Sequence, residues 1–192
     1  MEARQTKHKY TYADYVKWVD EPRYELIDGE AYMMSPGPTP EHQDIGGKIY
    51  RMLGNYLDGK PCRPYQAPMD VLFIEKNENE DNAKTVLQPD VLVVCDHGKI
   101  RKNRCIVGAP DLIVEVLSPS TTVRDFNVKR DIYQRYGVRE YWIVSIPDGV
   151  IYQFKLVGGI YEDTTVTGGR IESSAIEGFG FEISELFAVL DF

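Results

Sequence analysis

The sequence predicts a mixed α/β protein whose central sheet is covered by helices. The first observation behind this prediction is the order of elements, which is helix, three strands, helix and strand, with further β-structure at both ends. The second is that the runs at residues 91–94 and 112–114 are apolar at consecutive positions. Such runs are typical of strands that are buried on both faces of a sheet.

Local signals place the individual elements. Thr39 can cap a long helix that begins at Pro40 and is ended by Gly59. Gly137 is expected to end a second helix as its C-cap glycine. A hairpin over residues 24–34 turns at Asp28-Gly29. The expected helices cover residues 11–20, 40–57, 121–137 and 183–190, and the other expected strands cover 66–75, 86–94, 110–118, 140–146 and 150–157.

Two of the buried strands carry a carboxylate. Glu115 stands in the apolar stretch "APDLIVEVLSP", and Asp90 directly precedes the run at 91–94. An ionised carboxylate that leaves water needs a compensating cation. Side chains alternate along a strand, so Glu115 can point into a cleft while Val114 and Val116 seal the core. With Asp90 on the adjacent strand, the two carboxylates could share one divalent cation, most naturally Mg²⁺.

Composition limits the classes of protein to consider. The chain has 192 residues and a net charge of −8, which argues against non-specific coating of nucleic acid. We expect a single domain over residues 1–192, a cytoplasmic location and no membrane segment, because the N-terminus is polar and no apolar run is long enough to span a bilayer. The three scattered cysteines are expected to be reduced thiols rather than a disulfide framework.

The motifs together resemble a known family. "QPD" is followed by "VEVLSPST", "YGVREYW" and "IP", and this combination is similar to the Uma2 family (DUF820), a branch of the PD-(D/E)xK restriction-endonuclease-like superfamily. The resemblance implies an αβββαβ core and a metal-dependent nuclease. Pro89 and Asp90 match the "PD" element, Glu115 matches the acidic position, and the backbone carbonyl of Val116 would complete the shell of a Mg²⁺ or Mn²⁺ ion.

One position departs from the superfamily pattern. The superfamily lysine is expected two residues after the acid, where this chain has Leu117. Lys129 on the following helix matches the lysine found in its place in Uma2-like sequences. Helical spacing puts Asp125, Lys129 and Tyr133 on one stripe, so Lys129 could reach the site. Alternatively, Lys129 simply forms a surface ion pair with Asp125.

Other residues have open assignments. Asp70, one strand earlier, is a candidate third carboxylate at the metal. His42 is interpreted as a surface or capping histidine, although it could approach the cleft. Four cations in "KIRKNR" are candidates for nucleic-acid binding, or else belong to a solvated loop: Lys99, Arg101, Lys102 and Arg104.

The leading hypothesis is a nuclease that hydrolyses phosphodiester bonds in nucleic acid, and DNA is favoured over RNA as the substrate. A homodimer is expected by analogy with other nucleases of this fold. Asp90 and Glu115 would hold the cation, and Lys129 would position the attacking water or stabilise negative charge. The alternative is a degenerate member that keeps the fold as a nucleic-acid-binding or assembly module. Glu115 also has a structural alternative, an ion pair with a buried Arg or Lys, and Asp90 could simply cap a turn.

Overall fold

The computed structural model describes residues 8–18, 22–34, 37–75, 77–102, 104–118 and 122–190. Four α-helices occur in these ranges: α1 (Tyr12–Tyr15), α2 (Pro40–Leu57), α3 (Arg130–Tyr136) and α4 (Ile183–Phe187). α2 begins as expected, with the Thr39 side chain accepting a hydrogen bond from the backbone N–H of His42. The helix expected at 11–20 is shorter than predicted, and residues 19–20 lie outside the described ranges.

The strands form two six-stranded sheets and a small hairpin. They are β1 (Tyr24–Ile27), β2 (Glu30–Met33), β3 (Arg63–Gln66), β4 (Val71–Phe73), β5 (Thr85–Leu87), β6 (Val91–Val94), β7 (Ile100–Arg101), β8 (Cys105–Val107), β9 (Leu112–Val116), β10 (Glu140–Ser145), β11 (Val150–Val157), β12 (Ile160–Val166), β13 (Arg170–Glu172) and β14 (Gly180–Glu182). The central sheet has the order β12-β11-β10-β9-β6-β3, and the second sheet has the order β2-β1-β5-β4-β8-β7. Both are mixed, because β9 runs parallel to β10 and β4 runs parallel to β8.

The central sheet is covered on both faces. One face packs against α2 and α4 through residues such as Leu53, Val114 and Leu186. The opposite face packs against α3 and the second sheet, with Ile113 and Tyr133 in the shared cluster. The predicted alternation along β9 is therefore confirmed, and it directs Glu115 towards the space between the two sheets.

The segment predicted as one strand at 86–94 is in fact two strands in two different sheets. β5 belongs to the second sheet, and β6 belongs to the central sheet. Pro89 lies between them and has no N–H to donate to a ladder, which accounts for the break. Asp90 consequently stands where the chain passes from one sheet to the other.

The prediction of reduced cysteines is wrong for two of the three. Cys62 and Cys95 form a disulfide, whereas Cys105 is a buried free thiol. The antiparallel register of β3 and β6 pairs Arg63 with Val94, so the residues just outside that pair face each other. This proximity depends on strand register, which the spacing of cysteines in the sequence does not reveal. Within the described ranges, no helix is both long and apolar enough to cross a membrane.

Candidate functional site

Glu115 lies at the centre of a buried polar cluster between the two sheets. Its side chain is about one-twentieth exposed, and its Oε1 atom accepts hydrogen bonds from Lys129 Nζ at 2.8 Å and Tyr133 OH at 2.7 Å. Lys129 therefore contacts the acidic residue from the following helix. Tyr133, on the same predicted stripe, also supplies a hydroxyl donor.

A π-helical turn positions Lys129. Residues Arg124–Lys129 adopt this wider helix, which continues into α3. Asp125, Lys129 and Tyr133 are all buried, so the predicted stripe faces the cluster. Lys129 Nζ is 3.6 Å from Asp125 Oδ1, but this pair is buried and therefore differs from the surface ion pair considered as an alternative. Such π-helical turns are frequent at functional sites.

Glu25 is the residue of the cluster that sequence reasoning missed. It lies on β1, in the hairpin of the second sheet, and only 2% of its surface is exposed. Its Oε1 atom is 3.3 Å from Lys129 Nζ, and its Oε2 atom is 3.8 Å from Arg124. The sequence does carry a signal that Glu25 is buried, because Glu25 precedes the apolar residues Leu26 and Ile27, as Asp90 precedes an apolar run.

Asp90 meets Glu115 from the neighbouring strand. Asp90 directly precedes β6, which pairs with β9 in a register that places Val91 opposite Val114. Its Oδ2 atom accepts a hydrogen bond from the backbone N–H of Val116 at 2.8 Å, and His42 Nε2 lies 3.3 Å from the same oxygen. His42 therefore lies at the site, so its interpretation as a surface histidine is wrong.

The cluster holds more carboxyl groups than basic groups. Four carboxylates (Glu25, Asp90, Glu115 and Asp125) meet two permanent cations, Lys129 and Arg124, and the imidazole of His42. Burial raises the pKa of Glu115, and the charge of Lys129 lowers it by less. The neighbouring carboxylates raise it further, so the pKa of Glu115 is about 8. The pKa of Lys129 is also raised, because the carboxylates outweigh the effect of burial.

His42 responds to the same excess of carboxyl groups. Burial lowers the pKa of the imidazole, but the hydrogen bond and the charge of Asp90 more than reverse this, so the pKa of His42 is raised. The site thus favours protonation of two groups, the Glu115 carboxyl and the His42 imidazole.

These pKa directions predict how stability depends on pH. The pKa of the Glu115 carboxyl moves from an ordinary value of 4.5 to about 8 in the folded protein. Between these values the folded protein keeps a proton that the unfolded chain has released, so the free energy of unfolding falls as pH rises. His42 contributes with the same sign. We expect the melting temperature in chelator to decrease from about pH 5 to about pH 8.

The matched control is Glu115→Gln, which cannot titrate and should show a shallower decrease. A parent curve that is level or rises over this range would contradict the assignment of Glu115 as a carboxyl with a raised pKa. Glu162→Gln on the exposed surface of β12 should follow the parent curve.

Asp70 is placed away from this cluster. Its Oδ1 atom accepts hydrogen bonds from Tyr15 OH at 3.0 Å and from Gln88 Nε2 at 2.8 Å, in a separate cavity of the second sheet. Burial raises its pKa, whereas the hydrogen bonds from Gln88 and Tyr15 lower it by less. In the described part of the chain, no set of three or more His, Cys, Asp and Glu side chains has the arrangement of a metal site.

The cations of "KIRKNR" lie in β7 or directly beside β7 and β8 of the second sheet. Lys99 Nζ donates to the carbonyl of Ala109, and Arg101 Nε donates to Glu80 Oε1 at 2.6 Å. Arg104 lies over the ring of Tyr12 at 5.8 Å, and Lys102 is exposed. Two of the four candidate nucleic-acid contacts are therefore engaged in local hydrogen bonds.

The fold is that of the restriction-endonuclease-like class, and Asp90, Glu115 and Lys129 lie in one cluster within it. The chain belongs to the Uma2 family, described as "Putative restriction endonuclease", whose pattern matches residues 12–186. The family prediction and the predicted fold class are both confirmed.

Two individual proteins extend this comparison. The chain is 30% identical over 135 residues to the "Uncharacterized protein slr1290" of Synechocystis sp. (strain ATCC 27184 / PCC 6803 / Kazusa). The match covers 69% of this chain and 66% of that protein, just under two thirds of its length. A crystal structure titled as that of "a putative nuclease belonging to DUF820" from Anabaena variabilis ATCC 29413 superposes with a TM-score of 0.75 at 17% identity, covering 94% of this chain and 98% of the other. At this identity the superposition establishes the fold.

Proposed function

We propose that this protein is a divalent-metal-dependent nuclease that hydrolyses phosphodiester bonds. The observation that supports the proposal best is the convergence of Asp90, Glu115 and Lys129 in one cluster, since a module that only binds has no evident need for it. The excess of carboxylates in this cluster favours a bound cation. Membership of Uma2 supports nucleic acid as the substrate, and DNA is the substrate we favour.

The donor atoms fit Mg²⁺ or Mn²⁺. Within the described ranges, Asp90 Oδ1 and Glu115 Oε2 accept no hydrogen bond, whereas the other oxygen of each carboxylate is engaged. Together with the carbonyl of Val116 they provide hard oxygen ligands, which Mg²⁺ prefers in small number alongside water. When bound, the ion would polarise the phosphate and lower the pKa of a coordinated water.

Lys129 is assigned the role of positioning residue for the nucleophile. Its raised pKa keeps the ammonium group protonated at neutral pH, so it donates hydrogen bonds and does not act as a general base. Glu25 and Asp125 hold the ammonium group in place at 3.3 and 3.6 Å. From this position Lys129 would orient the attacking water or stabilise the negative charge that develops on the phosphate.

The test is a cleavage assay with single-stranded and double-stranded DNA and RNA in chelator, Mg²⁺ and Mn²⁺. We expect cleavage only with a divalent ion, and a loss of about a hundredfold or more in Asp90→Asn, on the scale of removing one electrostatic contributor to catalysis. Asp163→Asn on the exposed surface of β12 is the matched control and should cleave like the parent.

Cleavage in chelator, or an Asp90→Asn variant as active as the parent, would refute the proposed metal site. A parent that binds nucleic acid without cleaving it under any of these conditions would instead favour the degenerate binding module.

A further inference from the structure

A cavity of about 390 Å³ lies in the second sheet, next to the candidate active site. This volume falls within the range of roughly 300–1,000 Å³ that is usual for small-molecule sites. Its walls combine aromatic rings with polar groups, and the residues that matter here are Tyr15, Trp18, Arg23, Tyr24, Asp70 and Gln88. None of these residues belongs to the metal site proposed above.

The aromatic wall is built around Trp18. The centre of its ring lies 5.5 Å from that of Tyr15 and 5.5 Å from that of Tyr24, and Tyr10 contacts it from a further side at 5.1 Å. These contacts fix the indole in one position at the cavity. Fixed aromatic rings of this kind are the surfaces on which unpaired nucleobases stack.

The polar wall is an ordered network around Asp70. Gln88 Nε2 donates to Asp70 Oδ1 at 2.8 Å, and Arg23 donates to Gln88 Oε1 at 3.3 Å, so the amide has one defined orientation. Tyr15 OH donates to the same Asp70 oxygen at 3.0 Å. Among the described residues no donor reaches the second oxygen, Asp70 Oδ2. The cavity therefore offers a hydrogen-bond acceptor beside an aromatic wall.

Gln88 links this cavity to the active site. Its backbone N–H donates to Glu25 Oε1 at 3.2 Å, and the same oxygen is 3.3 Å from Lys129 Nζ. Gln88 is also two residues before Asp90, so their Cα atoms are at most about 7 Å apart. A nucleotide whose phosphate lies at Asp90 and Glu115 would have its base, or that of its neighbour, within reach of the cavity.

We propose that this cavity binds an unpaired nucleobase that carries an exocyclic amino group, on the nucleotide adjacent to the scissile phosphate. The inference rests on the proposed nuclease function and deepens it, because it assigns single-stranded or locally unpaired nucleic acid as the substrate. Trp18 provides the stacking surface, Tyr24 forms a side wall at 72° to it, Asp70 accepts from the amino group, and Arg23 supplies a cation for the backbone. A base within an intact duplex cannot enter such a cavity without leaving the stack.

The experiment measures binding of nucleoside monophosphates by calorimetry in chelator, so that neither metal nor cleavage is required. We expect the cytidine, adenosine and guanosine monophosphates to bind at least about tenfold more tightly than uridine monophosphate, which lacks the amino group. Trp18→Leu should weaken binding of all of them about tenfold or more, and Trp18→Phe should restore most of it.

Asp70→Asn should reduce the preference for cytidine over uridine monophosphate, and Asp163→Asn should leave it unchanged. Melting curves of each variant confirm that it is folded. Equal affinity for cytidine and uridine monophosphate, unchanged binding in Trp18→Leu, or no binding at millimolar nucleotide would each overturn the proposal. Nucleotide binding without any nuclease activity would refute the proposed function but support the base pocket. Cleavage of nucleic acid without nucleotide binding would refute the base pocket but support the proposed function.

Discussion

Lys129→Met should destabilise the folded protein by about 3–5 kcal/mol, the range seen when one partner of a buried ion pair is removed. Methionine is similar in length and apolar, so the change removes the charge with little change in volume. Lys129 Nζ lies within 4 Å of Glu25, Glu115 and Asp125, and all three side chains are almost completely buried. Without the ammonium group these carboxylates face one another with only Arg124 nearby, at 3.8 Å from Glu25.

Denaturant unfolding in chelator at neutral pH measures this loss. The loss should be larger at alkaline pH, where the Glu115 carboxyl is ionised and adds to the repulsion. Lys84→Met, at an exposed position beside β5, is the matched control and should change stability by about 0.5 kcal/mol or less. A Lys129→Met protein as stable as this control would show that the carboxylates do not depend on Lys129 for compensation.

A second substitution separates charge from packing. In the double variant Lys129→Met with Glu115→Gln, measured at alkaline pH where the Glu115 carboxyl is ionised, one of the stranded carboxylates is removed, so part of the lost stability should return. Additive effects of the two changes would mean that Lys129 and Glu115 do not interact energetically, despite the distance of 2.8 Å between their charged atoms.

The parts of this site that are visible in the sequence are those set by local periodicity. Glu115 is recognisable because it interrupts an apolar strand, and Lys129 because helical spacing aligns it with Asp125 and Tyr133. Both signals come from within one element. The family resemblance then connects the elements, which periodicity alone does not do.

The contacts that could not be predicted are those between elements that are distant in the sequence. Glu25 reaches Lys129 only because the first hairpin joins the second sheet, and no local pattern states which sheet a strand joins. His42 faces Asp90 because α2 packs across the end of β6, so its role follows from helix packing. The Cys62–Cys95 bond likewise depends on the register between β3 and β6.

Asp70 is a residue that was a candidate for the metal site but lies outside it. A carboxylate one strand before Asp90 is a reasonable candidate for the same cation when all the strands are taken to belong to one sheet. The chain instead changes sheets at Pro89, so Asp70 stays in the second sheet while Asp90 is carried to the central one. One proline, which breaks the strand, therefore separates the two carboxylates into two sites.

Glu115→Gln should leave the metal-free protein as stable as the parent or more stable, in contrast to Lys129→Met. The amide keeps the shape and can still accept from Tyr133, and Lys129 retains Glu25 and Asp125 as partners at 3.3 and 3.6 Å. Because the pKa of Glu115 is raised to about 8, its ionised form is disfavoured in the folded state, so removing the charge relieves repulsion. The gain should be largest at alkaline pH, where the parent carboxyl is ionised.

The same substitution should abolish stabilisation by metal. An ion that binds only the folded parent stabilises it by about 2.7 kcal/mol when its concentration is a hundred times the dissociation constant. Thermal melts of the parent, Glu115→Gln and the exposed control Glu162→Gln, each in chelator and in millimolar Mg²⁺ or Mn²⁺, measure both effects at once. The parent and the control should melt at higher temperature with metal, and Glu115→Gln should not. A loss on the order of 3 kcal/mol for Glu115→Gln in chelator would mean instead that Glu115 is the structural counter-ion of Lys129.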